Sequence, residues 1–340
     1  MTLDEIKFMV CSPKYDFLRT NPHLQGKLFF LTLGGSYAYG TNTETSDVDI
    51  RGCVANSRQD LLGFGNFEQV VDTTTDTTVY AFNKLLPLLM NCNPNTIELL
   101  GCKPETYFVL TDIGRYLLDH RHLFLSKRAV NSFGGYATQQ LRRLENAIAR
   151  DKLPQSRKEE HTLNSMKAAF DDAMRQLTRI SPEGFKLYID KTTRENMDTE
   201  IFADIDLKHY SIREFRSLMN NLGNVIGTYE KIGHRNHKKD DAHLNKHAMH
   251  LVRLYHMCFE ILEQEEIHTY RDWDHAMLMG IRNGEYQRED GTYRQEFFDM
   301  ITEYEARLQY DAEHTSLPES PDVAQVEEFV MSVNEMSLKL

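Results

Sequence analysis

The stretch that decides the fold reads Leu33-Gly34-Gly35-Ser36-Tyr37-Ala38-Tyr39-Gly40 and is soon followed by Thr45-Ser46-Asp47-Val48-Asp49-Ile50-Arg51-Gly52. Residues 27–33, just before the double glycine, form a short apolar run that predicts a buried central strand. Glycine in the following turn lets the backbone come close to a ligand, and the amides of a helix that begins there favour phosphate oxygens. Gly35 and the hydroxyl of Ser36 are therefore predicted to bind phosphate groups of a nucleotide.

The two aspartates of the second segment alternate with apolar residues. In a strand, successive side chains point to opposite faces, so Asp47 and Asp49 share one face while Val48 and Ile50 pack inward on the other. Hard oxygen ligands at that spacing suit Mg²⁺, which usually keeps waters and substrate phosphates in its remaining positions. The segment therefore predicts a pair of carboxylates that bind metal and take part in catalysis.

The order of glycine-serine turn, short helix and Asp-x-Asp resembles the DNA polymerase β-like nucleotidyltransferase superfamily. Its members move a nucleoside monophosphate from an NTP to a hydroxyl or phosphate. More narrowly, the chain resembles the predicted nucleotidyltransferase family associated with RNA repair, which has bacterial and phage members. With the opening motif, four further blocks within residues 30–285 carry this resemblance: Asp76-Thr77-Thr78-Val79-Tyr80-Ala81-Phe82-Asn83-Lys84, Asn93-Pro94-Asn95-Thr96-Ile97-Glu98-Leu99-Leu100, Ser132-Phe133-Gly134-Gly135-Tyr136-Ala137 and Lys246-His247-Ala248-Met249-His250-Leu251-Val252-Arg253-Leu254.

The resemblance implies an α+β fold, in which a small mixed β-sheet forms the catalytic core and a mostly α-helical region follows. It also implies two-metal phosphoryl transfer with two Mg²⁺ ions, or Mn²⁺, and a third catalytic carboxylate that binds metal from a later strand. Asp76 is our choice, because it matches the acidic position of the family block and begins a strand-like segment rich in threonine and valine. Asp72 stays the alternative, since a one-residue change in register would alter which side chains face the metals.

Residues 240–265 carry the clearest helical pattern. An apolar stripe with alternating spacings of four and three should face the core; its members are Leu244, Ala248, Leu251, Tyr255, Cys258 and Leu262. Lys246, His250 and Arg253 share a second face, and the resemblance implies that this face binds the triphosphate or the acceptor. Arg253 would suit bidentate phosphate contact, although the same spacing also describes a solvated basic face. Lys84, near the start of another helix, either reaches the nucleotide phosphates or lies on the surface.

Composition narrows the class of protein. The chain has 340 residues, of which 41% are hydrophobic and 26% charged, and its formal net charge is -12. No apolar run approaches the length of a membrane span and the amino terminus does not resemble a secretory signal, which predicts a cytoplasmic location, in the host cytoplasm if the chain is phage-encoded. Non-specific binding along a duplex needs a basic surface. An RNA end or a small acceptor, held by local basic patches such as residues 231–239, therefore fits better than a long duplex.

The sequence pattern changes near residue 110, from short β-like runs with one helix at 82–90 to an almost wholly helical pattern. This change predicts a nucleotidyltransferase catalytic module at residues 1–110 and a helical region at 111–340 that closes the cleft and presents the acceptor. Trp273, Phe297 and Phe298 are interpreted as core residues rather than as base-stacking platforms. The later helices are predicted at residues 112–122, 126–150, 160–178, 209–232, 240–265, 271–282, 292–312 and 321–336.

The first functional hypothesis is a metal-dependent enzyme that binds an NTP such as ATP, releases pyrophosphate and nucleotidylates an RNA acceptor, such as tRNA or an RNA 3′ end. A second reading keeps the chemistry but transfers the nucleotide to a protein hydroxyl, which suits the acidic surface. A third, of another class, is a regulatory nucleotide-binding protein on a decayed catalytic scaffold. That reading requires the loss of a metal ligand, whereas Asp47 and Asp49 are both present.

Overall fold

The computed structural model forms two compact units. It describes residues 1–152, 185–191, 199–205 and 241–339, with isolated positions between 160 and 223. The first unit comprises Met1–Leu141, Asn245–Tyr286 and Arg294–Leu340, and the second comprises Arg142–Leu244 and Gln287–Tyr293. No helix among the described residues is long and apolar enough to cross a membrane.

A mixed five-stranded sheet lies in the first unit. Its strands are β1 (Leu28–Gly34), β2 (Asp49–Val54), β3 (Gln69–Asp72), β4 (Thr77–Ala81) and β5 (Tyr107–Leu110). The strand order is β3-β4-β2-β1-β5, so β2 occupies the middle. β2 pairs antiparallel with β1 and parallel with β4, while β3 and β5 pair antiparallel at the two edges. β1 is buried along almost its whole length, as an interior strand must be.

Helices pack around this sheet and continue to the end of the chain. Those before residue 111 are α1 (Leu3–Val10), α2 (Phe17–Thr20), α3 (Gly35–Tyr39), α4 (Arg58–Leu62), α5 (Phe82–Met90) and α6 (Pro94–Ile97). The later ones described along their length are α7 (Asp112–Asp119), α8 (Arg128–Lys152), α9 (Asp241–Gln264), α10 (His275–Arg282), α11 (Gln295–His314) and α12 (Val323–Ser337).

Helix α9 is more deeply buried than its sequence pattern indicates. The predicted apolar stripe is confirmed, because all six of its members are buried. However, every residue from 251 to 262 is buried, so the helix is covered on all sides over these turns. Three polar side chains, Arg253, His256 and Glu260, are enclosed with it. Buried polar groups are stable only with partners, which defines the contacts described below.

The predicted α+β class is confirmed, with a small mixed sheet in the amino-terminal region and helices after it. The sequence pattern missed a hairpin in the second unit, formed by β6 (Phe185–Lys191) and β7 (Thr199–Ile205). The helices predicted at 160–178 and 209–232 and the basic patch at 231–239 fall almost wholly outside the described residues. The domain boundary near residue 110 stays a prediction.

Candidate active site

Three segments meet at one end of the sheet. Gly34, the last residue of β1, pairs with Asp49, the first residue of β2. Ile50 pairs with Thr77, and its amide donates a hydrogen bond to the carbonyl of Asp76 at 3.1 Å. Strand pairing alone therefore brings the glycine turn, Asp49 and Asp76 together. The sequence prediction of a turn beside acidic strand ends corresponds to this arrangement.

Gly35 is the point of closest approach. Its φ of +56° is left-handed, a region that side chains rarely adopt, and a Cβ atom there would lie 2.0 Å from Oδ2 of Asp49. A Cβ on Gly34 would lie 2.8 Å from Cγ of Arg51. The double glycine thus leaves room for the side chains of β2. Ser36 follows in the first turn of helix α3 and is partly buried.

Arg51 joins the two carboxylates. Its Nη2 lies 2.9 Å from Oδ1 of Asp49 and 3.1 Å from Oδ1 of Asp76. Burial raises the pKa of Asp49 to about 6, and the charge of Asp76 adds to this rise, whereas Arg51 and Lys246 oppose it. A positive group between two close carboxylates is the charge arrangement that a divalent cation would also satisfy. Nothing in the sequence pattern singled out Arg51 for this position, except that it stands two residues after Asp49 on the same face of β2.

Asp76 and Asp72 have different surroundings. Asp76 precedes β4 with a φ of 45°, a left-handed conformation that aspartate tolerates better than most residues. Its carbonyl and its carboxylate both accept hydrogen bonds from Arg51. Asp72 instead accepts hydrogen bonds from the hydroxyls of Thr74 and Thr75, which lower the pKa of its carboxyl. Asp72 is therefore engaged by its own turn, whereas Asp76 faces Asp49.

The sequence predicts two further charged residues for this site, Asp47 and Lys246. Asp47 lies before β2 begins, in a segment without regular structure, so strand alternation does not place its side chain. It is exposed, and no hydrogen bond or ion pair joins it to another described residue. Lys246 is exposed on α9 and lowers the pKa of Asp49 through its charge. The first unit thus brings a lysine from the carboxyl-terminal half to the acidic pair.

The acidic end of the sheet supplies part of a metal site. Among the described residues, no three His, Cys, Asp or Glu side chains are grouped closely enough to hold a metal ion. Asp49 and Asp76 provide two oxygen donors that fit Mg²⁺, but Asp47 does not complete a set of three with them. The guanidinium of Arg51 offsets the repulsion between the two carboxylates.

Arg253 lies in the interior, where a buried polar cluster surrounds it. The side chain is 1% exposed, lies 3.4 Å from Oε2 of Glu98, and stacks over the ring of Tyr39 at 3.6 Å. The Tyr39 hydroxyl donates to both Glu98 oxygens at 2.8 Å. Burial raises the pKa of both Tyr39 and Glu98, although Arg253 opposes the rise. The sequence pattern does not single out Glu98, because its partner Arg253 is 155 positions away in the chain.

Two further predicted nucleotide ligands have protein partners. His250 accepts a hydrogen bond at Nδ1 from Nη2 of Arg253 at 2.9 Å, and its ring meets that of Tyr136 edge to face. Lys84 forms an ion pair with Glu68 at 3.0 Å. These contacts give both side chains a structural role in the free protein, and their nucleotide-binding roles stay predictions.

Helix α10 holds the loop that leads to Asp47. Nη1 of Arg282 donates to the carbonyl of Thr41 at 2.8 Å, and Nη2 lies 3.4 Å from the Ser46 hydroxyl. His275 contributes a hydrogen bond from Nε2 to the carbonyl of Gly40 at 2.9 Å. The sequence pattern did not indicate these residues, since they lie more than two hundred positions from the loop they hold.

Comparison with known proteins gives the class to which this sheet and its acidic end belong. Residues 14–170 match a family model, which supports a DNA polymerase β-like nucleotidyltransferase family. The particular family is described as the RNA repair pathway DNA polymerase beta family, RlaP. No curated protein and no solved structure matches the chain. The matched residues include the glycine turn and all three aspartates, whereas Lys246, His250 and Arg253 lie beyond them.

Proposed function

We propose that the chain is a metal-dependent nucleotidyltransferase that transfers a nucleoside monophosphate from an NTP to an RNA acceptor and releases pyrophosphate. One observation carries the proposal. Within the residues that match the family, strand pairing brings the glycine turn, Asp49 and Asp76 to one end of the sheet. A turn without side chains beside a pair of carboxylates suits a triphosphate accompanied by cations.

In this proposal, Asp49 and Asp76 would hold Mg²⁺, and Asp47, on the loop that Arg282 contacts, would join them. When bound, Mg²⁺ lowers the pKa of an attacking hydroxyl and neutralises charge on the leaving pyrophosphate. The acceptor oxygen forms a bond to the α-phosphorus, and the bond from that phosphorus to the bridging oxygen of the β-phosphate breaks. The hydroxyl proton passes to water. Gly35 and Ser36 bind phosphate oxygens, and the Lys246 ammonium stabilises their negative charge.

The family description supports RNA as the acceptor. The net charge of -12 supports an RNA end rather than a long duplex, because little counterion release is available for binding. The experiment is incubation of the full-length protein with Mg²⁺, each α-labelled NTP and separate RNA and protein pools. Label retained by RNA is the expected result. Label retained only by protein overturns the RNA acceptor, and pyrophosphate release absent with every NTP and pool overturns the nucleotidyltransferase proposal.

Gly35→Ala is expected to lower the rate of nucleotidyl transfer by about a hundredfold, because the new methyl group would displace the Asp49 carboxylate. Gly26→Ala is the matched control. Gly26 has a similar φ of +68°, but a Cβ atom added there would have no other atom within 4 Å. Its substitution should cost about 1 kcal/mol of stability through backbone strain and leave the rate unchanged. Pyrophosphate release measures both, and equal rates for the two variants would contradict the close-approach argument.

Arg51→Gln is expected to tighten Mn²⁺ binding by about fivefold, since the guanidinium no longer competes for the carboxylates and a partly exposed ion pair contributes about 1 kcal/mol. The measurement is the rise in unfolding temperature with increasing Mn²⁺, which reports binding to the folded state. Arg115→Gln, which removes an exposed ion pair with Asp112, should respond to Mn²⁺ as the wild type does. Weaker stabilisation of Arg51→Gln by Mn²⁺ would show that Arg51 does not occupy the cation position.

A further inference from the structure

Trp273 is the only tryptophan in the chain, and it is 65% exposed. The prediction that it is a core residue is therefore wrong, whereas Phe297, in the same group, is buried as predicted. Tryptophan is highly buried on average, since leaving so large a ring in water forgoes a large hydrophobic gain. An exposed ring that is also fixed in place calls for a functional explanation.

The ring of Trp273 is held by buried groups. Its Nε1 donates a hydrogen bond to Oε1 of Glu260. The ring stacks on that of His256, with centroids 4.9 Å apart and planes 29° from parallel, and the guanidinium carbon of Arg271 lies 5.4 Å from its centroid. Its polar atom is thus satisfied and part of its surface is packed. The remaining apolar surface faces outward in a fixed orientation, at little further cost in side-chain entropy.

The segment that carries Trp273 is bonded to the helix that begins at the glycine turn. The Arg271 amide donates to the carbonyl of Tyr39 at 3.0 Å, and the ring of Tyr270 lies against Gly40. Tyr39 ends helix α3, and Gly35, at its other end, lies against Asp49. A helix of five residues is about 7 Å long. These contacts join the segment of Trp273 to the helix whose first residue lies against Asp49.

Charges near Trp273 are paired with one another. Lys103 contacts Asp272 at 3.2 Å and the Tyr270 ring at 3.6 Å, and Arg271 is shared between Glu260 and Asp274. Such a surface offers little net charge for attracting phosphates. It offers exposed aromatic surface instead, and base stacking on aromatic side chains is one source of affinity for single-stranded nucleic acid.

We infer that Trp273 is a stacking surface for an unpaired base of the acceptor RNA. The inference rests on the proposed function and adds to it the means by which an acidic protein holds a single strand near the reacting end. A planar nucleobase is the ligand, and the RNA strand rather than the NTP is its source. Stacking of this kind tolerates any base sequence and requires the strand to be single.

Intrinsic fluorescence tests this inference directly, because all tryptophan emission comes from Trp273. The full-length protein is titrated with a twelve-nucleotide single-stranded RNA, with the same RNA annealed as a blunt duplex, and with ATP alone. Quenching that saturates with the single strand, and not with the duplex or ATP, is the expected result. No quenching by the single strand, or equal quenching by ATP alone, overturns the assignment to the acceptor.

Variants separate stacking from a structural role. In anisotropy titrations with labelled RNA, Trp273→Ala should bind about five- to a hundredfold more weakly, whereas Trp273→Phe, which keeps a ring, should lose less. Phe64→Ala removes another exposed aromatic ring and serves as the matched control, with unchanged affinity. Equal weakening in the Phe and Ala variants would indicate that the Glu260 hydrogen bond, not stacking, matters and would overturn the inference.

The RNA-binding and transfer assays fail independently. If single-stranded RNA quenches the fluorescence but the wild type shows no nucleotidyl transfer, the proposed function is contradicted and the stacking surface is supported. If the wild type transfers nucleotide to RNA and Trp273→Ala binds RNA as tightly as the wild type, the stacking surface is contradicted and the proposed function is supported.

Discussion

Asp49→Asn is expected to lower Mg²⁺-dependent pyrophosphate release by about a thousandfold or more, since loss of a metal-binding carboxylate removes several kcal/mol of transition-state stabilisation. The substitution should not lower the stability of the folded protein. Burial and the charge of Asp76 raise the pKa of Asp49 to about 6, so the ionised carboxylate is unfavourable in the folded state at pH 7. A neutral amide of the same shape removes that cost, and the variant should be at least as stable as the wild type.

The pH dependence of stability gives a second signature of this change. As the pH falls through about 6, the wild-type carboxyl takes up a proton in the folded state before it would in the unfolded chain. The unfavourable contribution of Asp49 is therefore fully present above about pH 6, decreases as the pH falls, and is gone below the ordinary carboxyl pKa of 3.8. The stability difference between Asp49→Asn and the wild type should shrink over this range, as urea unfolding at several pH values would measure.

Paired variants at Asp76 and Asp72 decide which carboxylate is the third ligand. Asp76→Asn should lose activity as Asp49→Asn does, because Asp76 faces the same guanidinium. Asp72→Asn keeps an oxygen that can accept the hydrogen bonds of its turn, so it should retain activity. Asp47→Asn is expected to be inactive. Full activity in Asp49→Asn would remove the basis of the proposed site, and activity lost in Asp72→Asn alone would reassign the third position.

Local sequence is sufficient to predict β1 and β2, the two strands on which this site is built. The run before Gly34 and the alternation after Asp47 predict β1 and β2, and both strands form within a few residues of the expected ends. Asp76 could be placed because β4 is a short, strongly patterned strand next to β2 in the sheet. These are features in which neighbouring residues determine conformation. The side-chain period of two applies within β2, whereas Asp47, which was predicted to share a face with Asp49, lies before that strand.

The parts that sequence did not predict depend on contacts between distant residues. The spacing of Lys246, His250 and Arg253 indicates a shared helix face but not what covers it. Arg253 is buried because Glu98 and Tyr39, far away in the chain, provide its partners. The interpretation of Trp273 as a core residue is wrong for the same reason, because its neighbours in the sequence do not indicate whether the ring lies inside the protein or on its surface. The hairpin β6–β7 was missed because a mostly helical pattern surrounds it.

Arg271→Ala is expected to be the most destabilising single change among those considered. Arg271 is 0% exposed and joins Glu260 and Asp274, each with a carboxylate 2.9 Å from Nη2. Removal leaves two buried carboxylates without their cation, which typically costs about 3–5 kcal/mol. Urea unfolding of the full-length protein measures the loss. Arg271→Lys should be intermediate, because an ammonium group cannot match the paired hydrogen bonds of a guanidinium.

Arg115→Ala is the matched control for this change. Arg115 also pairs with an aspartate three residues away, but both partners are well exposed, so the loss should be below about 1 kcal/mol. If Arg271→Ala is destabilised no more than Arg115→Ala, the buried carboxylates find other partners when the guanidinium is removed.

Measuring stability at low pH distinguishes an electrostatic cause of the destabilisation from a loss of packing. Burial alone would raise the pKa of Asp274, but hydrogen bonds from His256 and Arg271 outweigh it and lower the pKa below the usual 3.8. In the wild type, the stability that this pair contributes is therefore present above about pH 4 and is lost as the pH falls through the lowered pKa. Without Arg271, the buried carboxyl takes up a proton at higher pH, which relieves its unpaired charge. The stability difference between Arg271→Ala and the wild type should thus be largest near pH 7 and smaller near pH 4, whereas a packing defect would be equal at both.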